Sequence, residues 1–189
     1  MLRRIGDIYL RLTDATSRLC EGVAVVLLFG FAALMLAEVV KRGFIGGSLA
    51  FSWEISTYAM AAVFFLAAGR TLRTGRHVRV SLALEASPPR LRLSIELLAT
   101  LVALVLATGI FLTLRDMALT SFQRGTRSPS FTSTPLVWPQ ALVAIGALQL
   151  CLDLFARLLR LLRGEPAQIV APEELDLIDE PPGKGPRDG

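Results

Sequence analysis

The sequence has little of the chemistry on which most catalytic and cofactor sites depend. Its 189 residues include one histidine and two cysteines. A transmembrane haem held by paired histidines needs at least two of them, so a chain with only His77 is not that kind of cytochrome. Cys20 and Cys151 do not form a C-x-x-C pair, which argues against a thiol oxidoreductase. No metalloprotease, nucleophile-elbow or nucleotide-binding motif occurs. We therefore predict that the protein is not an enzyme and holds no metal or cofactor.

Charged residues are also scarce in four long stretches of the chain. Hydrophobic residues make up 53% of the sequence, and the mean hydropathy is +0.55. About 20 apolar residues cross a bilayer as a helix, and these stretches lack the alternation of a membrane barrel. We predict an all-α integral membrane protein with four transmembrane helices and a short N-terminal interfacial helix. The four spans are predicted at about 22–40, 50–69, 93–115 and 135–155, within a membrane domain of residues 1–163.

Helix signals set further expectations for the second half of the chain. Ser87 and Pro88 are typical of a helix start, and the third helix should run about 30 residues, to near Ser121, because no breaker interrupts it. The fourth helix is predicted to begin near Pro135 or Pro139 and to end at Gly164. Its Asp153 and Arg157 are spaced to pair at i,i+4. Beyond it, residues 164–189 are acidic and rich in proline, which predicts a disordered tail.

The distribution of basic residues predicts the orientation. Fifteen of the 20 lysines and arginines lie in the N-terminal segment, the middle loop and the C-terminal segment. Cytoplasmic segments carry this excess, so both termini are predicted to be cytoplasmic.

Arginines at every third position begin the middle loop. This spacing is shared with the moving helix of voltage sensors, but Gly75 interrupts it and the neighbouring spans offer no acidic ladder. We interpret these arginines as a topology signal and a contact to lipid headgroups, together with three arginines at the end of the fourth helix. The set is Arg70, Arg73, Arg76, Arg79, Arg157, Arg160 and Arg163.

Three glutamates lie near the predicted membrane boundaries. Glu38 is placed to pair with Lys41 or Arg42, and Glu96 with Arg92. Glu54 has no basic residue within four positions, so we expect its partner to be an arginine from another helix or another chain. A small proton-coupled transporter acting through Glu54 or Glu38 is therefore an alternative function.

Two stretches resemble the small membrane subunit, the DctQ-like subunit, of tripartite ATP-independent periplasmic (TRAP) transporters. They are "KRGFIGGSLAFSWEISTYAMAAVFFLAAGRTLRTGRHVRVSL" and "SPSFTSTPLVWPQALVAIG", and with the four spans the resemblance covers about residues 5–163. The matching positions, which are also candidate contacts to a partner subunit, are Arg42, Trp53, Glu54, Tyr58, Gly69, Arg73, Gly75, His77, Val80, Pro135, Pro139 and Gly146. The chain departs from the family pattern where Ile55 replaces a second glutamate and Ser81 replaces an aspartate.

The resemblance implies a role and a set of partners. A DctQ-like subunit lies in the bacterial inner membrane and braces a large polytopic subunit. That large subunit imports an organic acid, driven by an ion gradient, after a periplasmic binding protein delivers it. The small subunit has no known substrate or ion site, so the resemblance implies a non-catalytic permease subunit surrounded by membrane lipids and binding no nucleic acid.

Overall fold

The computed structural model of the chain describes residues 2–49, 51–73, 89–130 and 132–164. Four long helices account for most of these residues: α1 (Leu2–Val40), α2 (Ser52–Arg73), α3 (Pro89–Arg124) and α4 (Val137–Leu162). A five-residue π-helix, Lys41–Ile45, continues α1. Within the described ranges the only β pairing is one isolated bridge. The predicted all-α class is therefore confirmed. The predicted tail, 164–189, lies outside the described residues from position 165 onward.

Three of the described helices are long and apolar enough to cross a membrane. They cover Gly6–Ile45, Leu93–Arg124 and Val137–Leu162. The predicted second span is helical, as α2, but α2 is not among the three. Its first turns carry Ser52, Glu54 and Ser56, and these polar side chains are buried inside the protein. The polar start lowers the apolar content of a helix that is otherwise rich in alanine and phenylalanine.

The prediction of a separate interfacial helix at the N-terminus is wrong. Residues 2–21 are the first half of α1, which runs without a break for 39 residues, about 58 Å at 1.5 Å per residue. No glycine or proline breaks the helix between Asp7 and Glu21. Tyr9 holds this half against α4, donating a hydrogen bond to the Leu152 carbonyl at 2.9 Å and packing edge-on against Phe155.

Helices α3 and α4 follow the sequence signals closely. The predicted third helix is α3, 36 residues long, and the proposed cap at Ser87 lies outside the described residues. Helix α4 begins at Val137, between the two prolines suggested as its start. Pro139 is tolerated in this first turn because the backbone N–H groups there have no helical partner. Helix α4 ends at Leu162, and Gly164 follows with φ +70°.

The core lies where α1, α2 and α4 meet. Its buried residues are Ala24, Ala62, Leu66 and Val143. Helices α2 and α4 approach closely at Gly146: a Cβ there would lie 2.8 Å from Phe65 Cβ and 2.9 Å from Leu66 N. Because lipid gives apolar helices no drive to associate, such close approach through small residues is a main source of packing energy in membranes.

Helices α1 and α3 leave most of their apolar surface uncovered. In the most apolar 18-residue segment of each of these helices, 11% of the residues are buried, whereas 44% are buried in the corresponding segment of α4. Helix α3 packs mainly against α4, while α1 and α2 also contact each other and α4. Between α3 and α4 an open apolar groove of about 300 Å³ runs past Phe111, Phe122 and Leu148. Lipid or another membrane protein must therefore cover these faces.

Candidate functional site: polar clusters at the two ends of the helices

The junction between α1 and α2 is organised by Glu38, whose side chain is 8% exposed. The carboxylate accepts hydrogen bonds from Arg42 Nη2 at 2.8 Å, from the Ser48 hydroxyl and from the Leu49 backbone N–H at 2.7 Å. The predicted pairing of Glu38 with a basic residue is confirmed, and the partner is Arg42. One carboxylate thus fixes the π-helix and the following turn, where Gly46 and Gly47 both have φ of +80°.

Glu54 joins α2 to the loop before α4. Its side chain is 9% exposed and accepts hydrogen bonds from the hydroxyl groups of Ser130 and Thr132, 76 and 78 residues away in the sequence. Tyr58, one turn further along α2, donates a third hydrogen bond at 2.9 Å. We define this set as the Glu54 cluster. Its partners are hydroxyl groups, whereas the sequence suggested an arginine.

The α3–α4 loop is shaped to present these hydroxyl groups. Arg127 and Pro135 form the isolated bridge, and the Ser128 N–H donates to the Thr134 carbonyl at 2.9 Å, so the loop folds back on itself. The hydroxyl groups of Ser130 and Thr132 are 2.9 Å apart. The described part of this loop and a single carboxylate therefore connect α2, α3 and α4 at one end of the protein.

A third polar cluster lies nearer the chain termini and centres on Asp153. This carboxylate is 1% exposed, which makes it the largest fully buried side chain among the described residues. Gln149 Nε2 donates to its Oδ1 at 3.2 Å, and the Ser17 hydroxyl lies 3.5 Å from Oδ2. On the α2 side, a Cβ at Gly69 would overlap Asp153 Oδ2, so any larger residue there would force the carboxylate to move.

Two ion pairs hold the first half of α1 against the end of α4. Arg160 Nη2 lies 3.2 Å from Asp14 Oδ1, and Arg163 Nη1 lies 2.7 Å from Asp7 Oδ1. The side chain of Arg160 is 10% exposed, whereas Asp7 is largely exposed. Both arginines were predicted to contact lipid headgroups; the structure shows them between helices, paired with acids of α1.

The structure brings some of the predicted site residues together and leaves others apart. Glu54 and Tyr58 share one cluster, Arg42 belongs to the Glu38 junction, and Gly69 and Gly146 lie at α2–α4 contacts. Trp53 lies beside the Glu38 junction and is 82% exposed. Pro135 belongs to the loop bridge and Pro139 to the first turn of α4. Gly75, Arg76, His77, Arg79 and Val80 lie outside the described residues, as do the side chains of Arg70, Arg73 and Arg92.

Sequence reasoning missed the role of Asp153 and did not anticipate Gln149 or Ser17. It assigned Asp153 only to a pairing with Arg157 along the helix surface. The useful signal was its position: Asp153 interrupts the apolar run of α4 about one turn before the first arginine of that helix. A carboxylate at such a depth must find partners inside the protein, because an exposed charge in lipid is costly.

Long apolar helices with their polar groups tied to one another define a helical membrane protein. The family model for the DctQ component of tripartite ATP-independent periplasmic transporters matches residues 11–164. The chain therefore belongs to the DctQ family, and is a small membrane component of a TRAP transporter. Members of this family work with a large membrane subunit, DctM, and a periplasmic binding protein. Among curated proteins and solved structures, no significant match was found.

Proposed function

We propose that this chain is a non-catalytic subunit that braces the large membrane subunit of a TRAP transporter while an organic acid is imported. In this proposal α2 is a fourth span, both termini are cytoplasmic, and the protein lies in the bacterial inner membrane. The ion gradient and the substrate act on the large subunit. The periplasmic binding protein delivers the substrate at the α3–α4 loop side of the membrane.

The uncovered faces of α1 and α3 are the observation that carries the proposal. Helices α1 and α3 are both longer than the bilayer core. In the most apolar 18-residue segment of each helix, 11% of the residues are buried. A protein whose helices mainly surrounded a transport pathway would place polar side chains toward a shared cavity. Here the buried acids Glu38, Glu54 and Asp153 accept hydrogen bonds that link neighbouring helices and loops. This arrangement supports a rigid scaffold with outward apolar faces.

The same contacts disfavour the alternative of a small proton-coupled transporter. A carboxylate that carries protons must be reached by water and must exchange its partners during the cycle. Glu38 and Glu54 instead lie at helix ends, and each is held by three described hydrogen-bond donors. We assign both side chains to the connection between helices.

Co-purification of the two membrane subunits tests the bracing role. The large subunit carries an affinity tag, and the wild-type small chain should remain bound to it through detergent extraction. Glu54→Gln keeps the shape of the side chain but removes the charge that favours the hydroxyl donors. The variant should release the loop and weaken assembly, while the sodium or proton dependence of any remaining uptake stays the same. An altered ion dependence with normal assembly would favour the proton-coupled alternative.

Thr57→Val is a suitable control for that experiment. Thr57 lies on the exposed side of α2, and its hydroxyl group donates to the Trp53 carbonyl within the same helix, at 2.9 Å. The substitution removes a polar group at nearly the same depth without touching the Glu54 cluster. Equal loss of the large subunit in both variants would show that Glu54 has no specific role in assembly.

A further inference from the structure

Three arginines form a row on the outer side of the first half of α1. Arg4, Arg11 and Arg18 are spaced by seven residues, which places them on one helix face with a drift of only about 20° per step. All three are exposed, and no described residue forms an ion pair with any of them.

Two acids of the same segment, on the neighbouring side of the helix, are paired with α4. Asp7 pairs with Arg163 at 2.7 Å and Asp14 with Arg160 at 3.2 Å. Helix α4 therefore offsets two of the negative charges of this segment, and the three arginines remain on the outer face. The segment as a whole has mixed charge, but the three exposed arginines have no acidic partner among the described residues.

An apolar stripe lies directly beside the arginine row. Ile8, Leu12 and Leu19 are 55%, 61% and 69% exposed. A helix that shows arginines and large aliphatic side chains side by side is typical of the boundary between headgroups and acyl chains. Arginine suits that boundary because its aliphatic stem lies along the apolar surface while the guanidinium reaches the phosphates. We call the row and the stripe together the basic face.

Helix α4 shows at which depth the basic face lies. About 20 residues counted from Val137 cross the bilayer core and end near Arg157. The Tyr9–Leu152 hydrogen bond and the Asp14–Arg160 ion pair place the middle of the basic face next to this boundary. Since the predicted first span begins at residue 22, the boundary lies between Arg11 and Arg18, and Arg4 lies about 10 Å further out along the helix than Arg11.

We propose that the basic face binds anionic phospholipids of the leaflet nearest the chain termini. The guanidinium groups of Arg4, Arg11 and Arg18 pair with headgroup phosphates, and the aliphatic stripe enters the acyl boundary. An acidic protein would pair with the arginines but leave the aliphatic stripe uncovered at bilayer depth, whereas a lipid covers both. The proposal depends on membrane insertion and is independent of the bracing role.

Lipid retention measures this binding directly. The full chain is reconstituted in phosphatidylcholine membranes containing phosphatidylglycerol and extracted in a mild detergent, and mass spectrometry then gives the ratio of the two retained lipids. The wild-type protein should be enriched in phosphatidylglycerol. A surface arginine contributes about 1 kcal/mol to anionic lipid binding, about fivefold in affinity. The triple variant R4Q/R11Q/R18Q should therefore lose the enrichment, and R4K/R11K/R18K should keep most of it.

A matched charge control lies at the other end of the chain. Arg115, Arg124 and Arg127 are also exposed, so R115Q/R124Q/R127Q removes the same charge without changing the basic face, and it should keep the wild-type enrichment. If the triple glutamine variant does not fold, R11Q alone should lower the affinity about fivefold. Raising the salt to 1 M should also remove the preference of the wild type, because the Debye length falls to about 3 Å.

Three results would overturn the proposal. The first is an unchanged lipid ratio in R4Q/R11Q/R18Q. The second is a several-fold rise in the ratio of phosphatidylglycerol to phosphatidylcholine when residues 165–189 are deleted. That rise would show that the acidic C-terminal segment, and not lipid, covers the basic face in the full chain. The third is loss of the large subunit from R4Q/R11Q/R18Q while phosphatidylglycerol is retained, which would identify a protein partner. Since the third result concerns assembly and the first concerns lipid, failure here is distinguishable from failure of the bracing role.

Discussion

Substitution of Gly146 by alanine tests the packing on which the α2–α4 contact depends. A Cβ at this position would lie 2.8 Å from Phe65 Cβ and 2.9 Å from both Phe65 C and Leu66 N. Two of these three atoms are backbone, so a change of side-chain rotamer cannot relieve the overlap. The helices must separate by about 1 Å to restore an ordinary carbon contact of about 3.5–4.0 Å.

The expected cost follows from this geometry. Forcing an extra carbon into a well-packed contact destabilises by about 1–3 kcal/mol, while replacing glycine by alanine inside a helix favours the helix by up to about 1 kcal/mol. Gly109 isolates the second effect, because it lies mid-helix in α3 and an added Cβ there would have no atom within 4 Å. The difference between Gly146→Ala and Gly109→Ala should therefore be about 1–3 kcal/mol, with Gly146→Ala the less stable.

Reversible unfolding of the purified chain in mixed micelles, titrated with a denaturing detergent and followed by circular dichroism, measures this difference. Gly109→Ala should unfold at the same detergent fraction as the wild type or a slightly higher one. Gly146→Ala should unfold at a clearly lower fraction. Equal midpoints for the two variants would refute the close α2–α4 approach, and with it the parallel packing that places Gly69 against Asp153.

Further predictions concern the polar contacts between helices. Asp14→Asn leaves Arg160, whose side chain is 10% exposed, without its carboxylate and should destabilise the chain by about 1–3 kcal/mol. Asp7→Asn affects a more exposed pair and should cost at most about 1 kcal/mol; equal midpoints in the same unfolding assay would contradict this order. Glu38→Gln weakens the contacts of one carboxylate to Arg42, Ser48 and Leu49. It should therefore speed amide hydrogen exchange across residues 41–49 while leaving α4 unchanged, and unchanged exchange in that turn would count against the assigned role of Glu38.

The fold was largely predictable because membranes restrict the choice of structure. A run of about 20 apolar residues in lipid must satisfy its backbone hydrogen bonds internally, so the helices follow from composition alone. The continuity of α1 was harder to predict. Residues 2–21 have helical spacing, but only the contacts of Tyr9, Asp7 and Asp14 with α4 show that they continue the span.

The polar clusters were only partly predictable, for a physical reason. Glu38 and Arg42 are one helical turn apart, so the sequence shows their pairing directly. The hydroxyl partners Ser130 and Thr132 of Glu54 lie 76 and 78 residues away. Gln149 is one turn from Asp153 on the same helix, but the other groups against that carboxylate, Ser17 and Gly69, lie on α1 and α2. Local spacing carries no information about such contacts, since they depend on which helices become neighbours. The sequence signals marked Glu54 as unusual but did not identify the hydroxyl groups that bind it.

Reconstituted uptake tests the central claim most directly. Liposomes containing this chain alone, the large subunit alone or both are supplied with the binding protein, a labelled organic acid and an ion gradient. The bracing role predicts no uptake with this chain alone, little with the large subunit alone, and full uptake with both. Ion-driven uptake by this chain alone would contradict it, as would full activity of the large subunit without it.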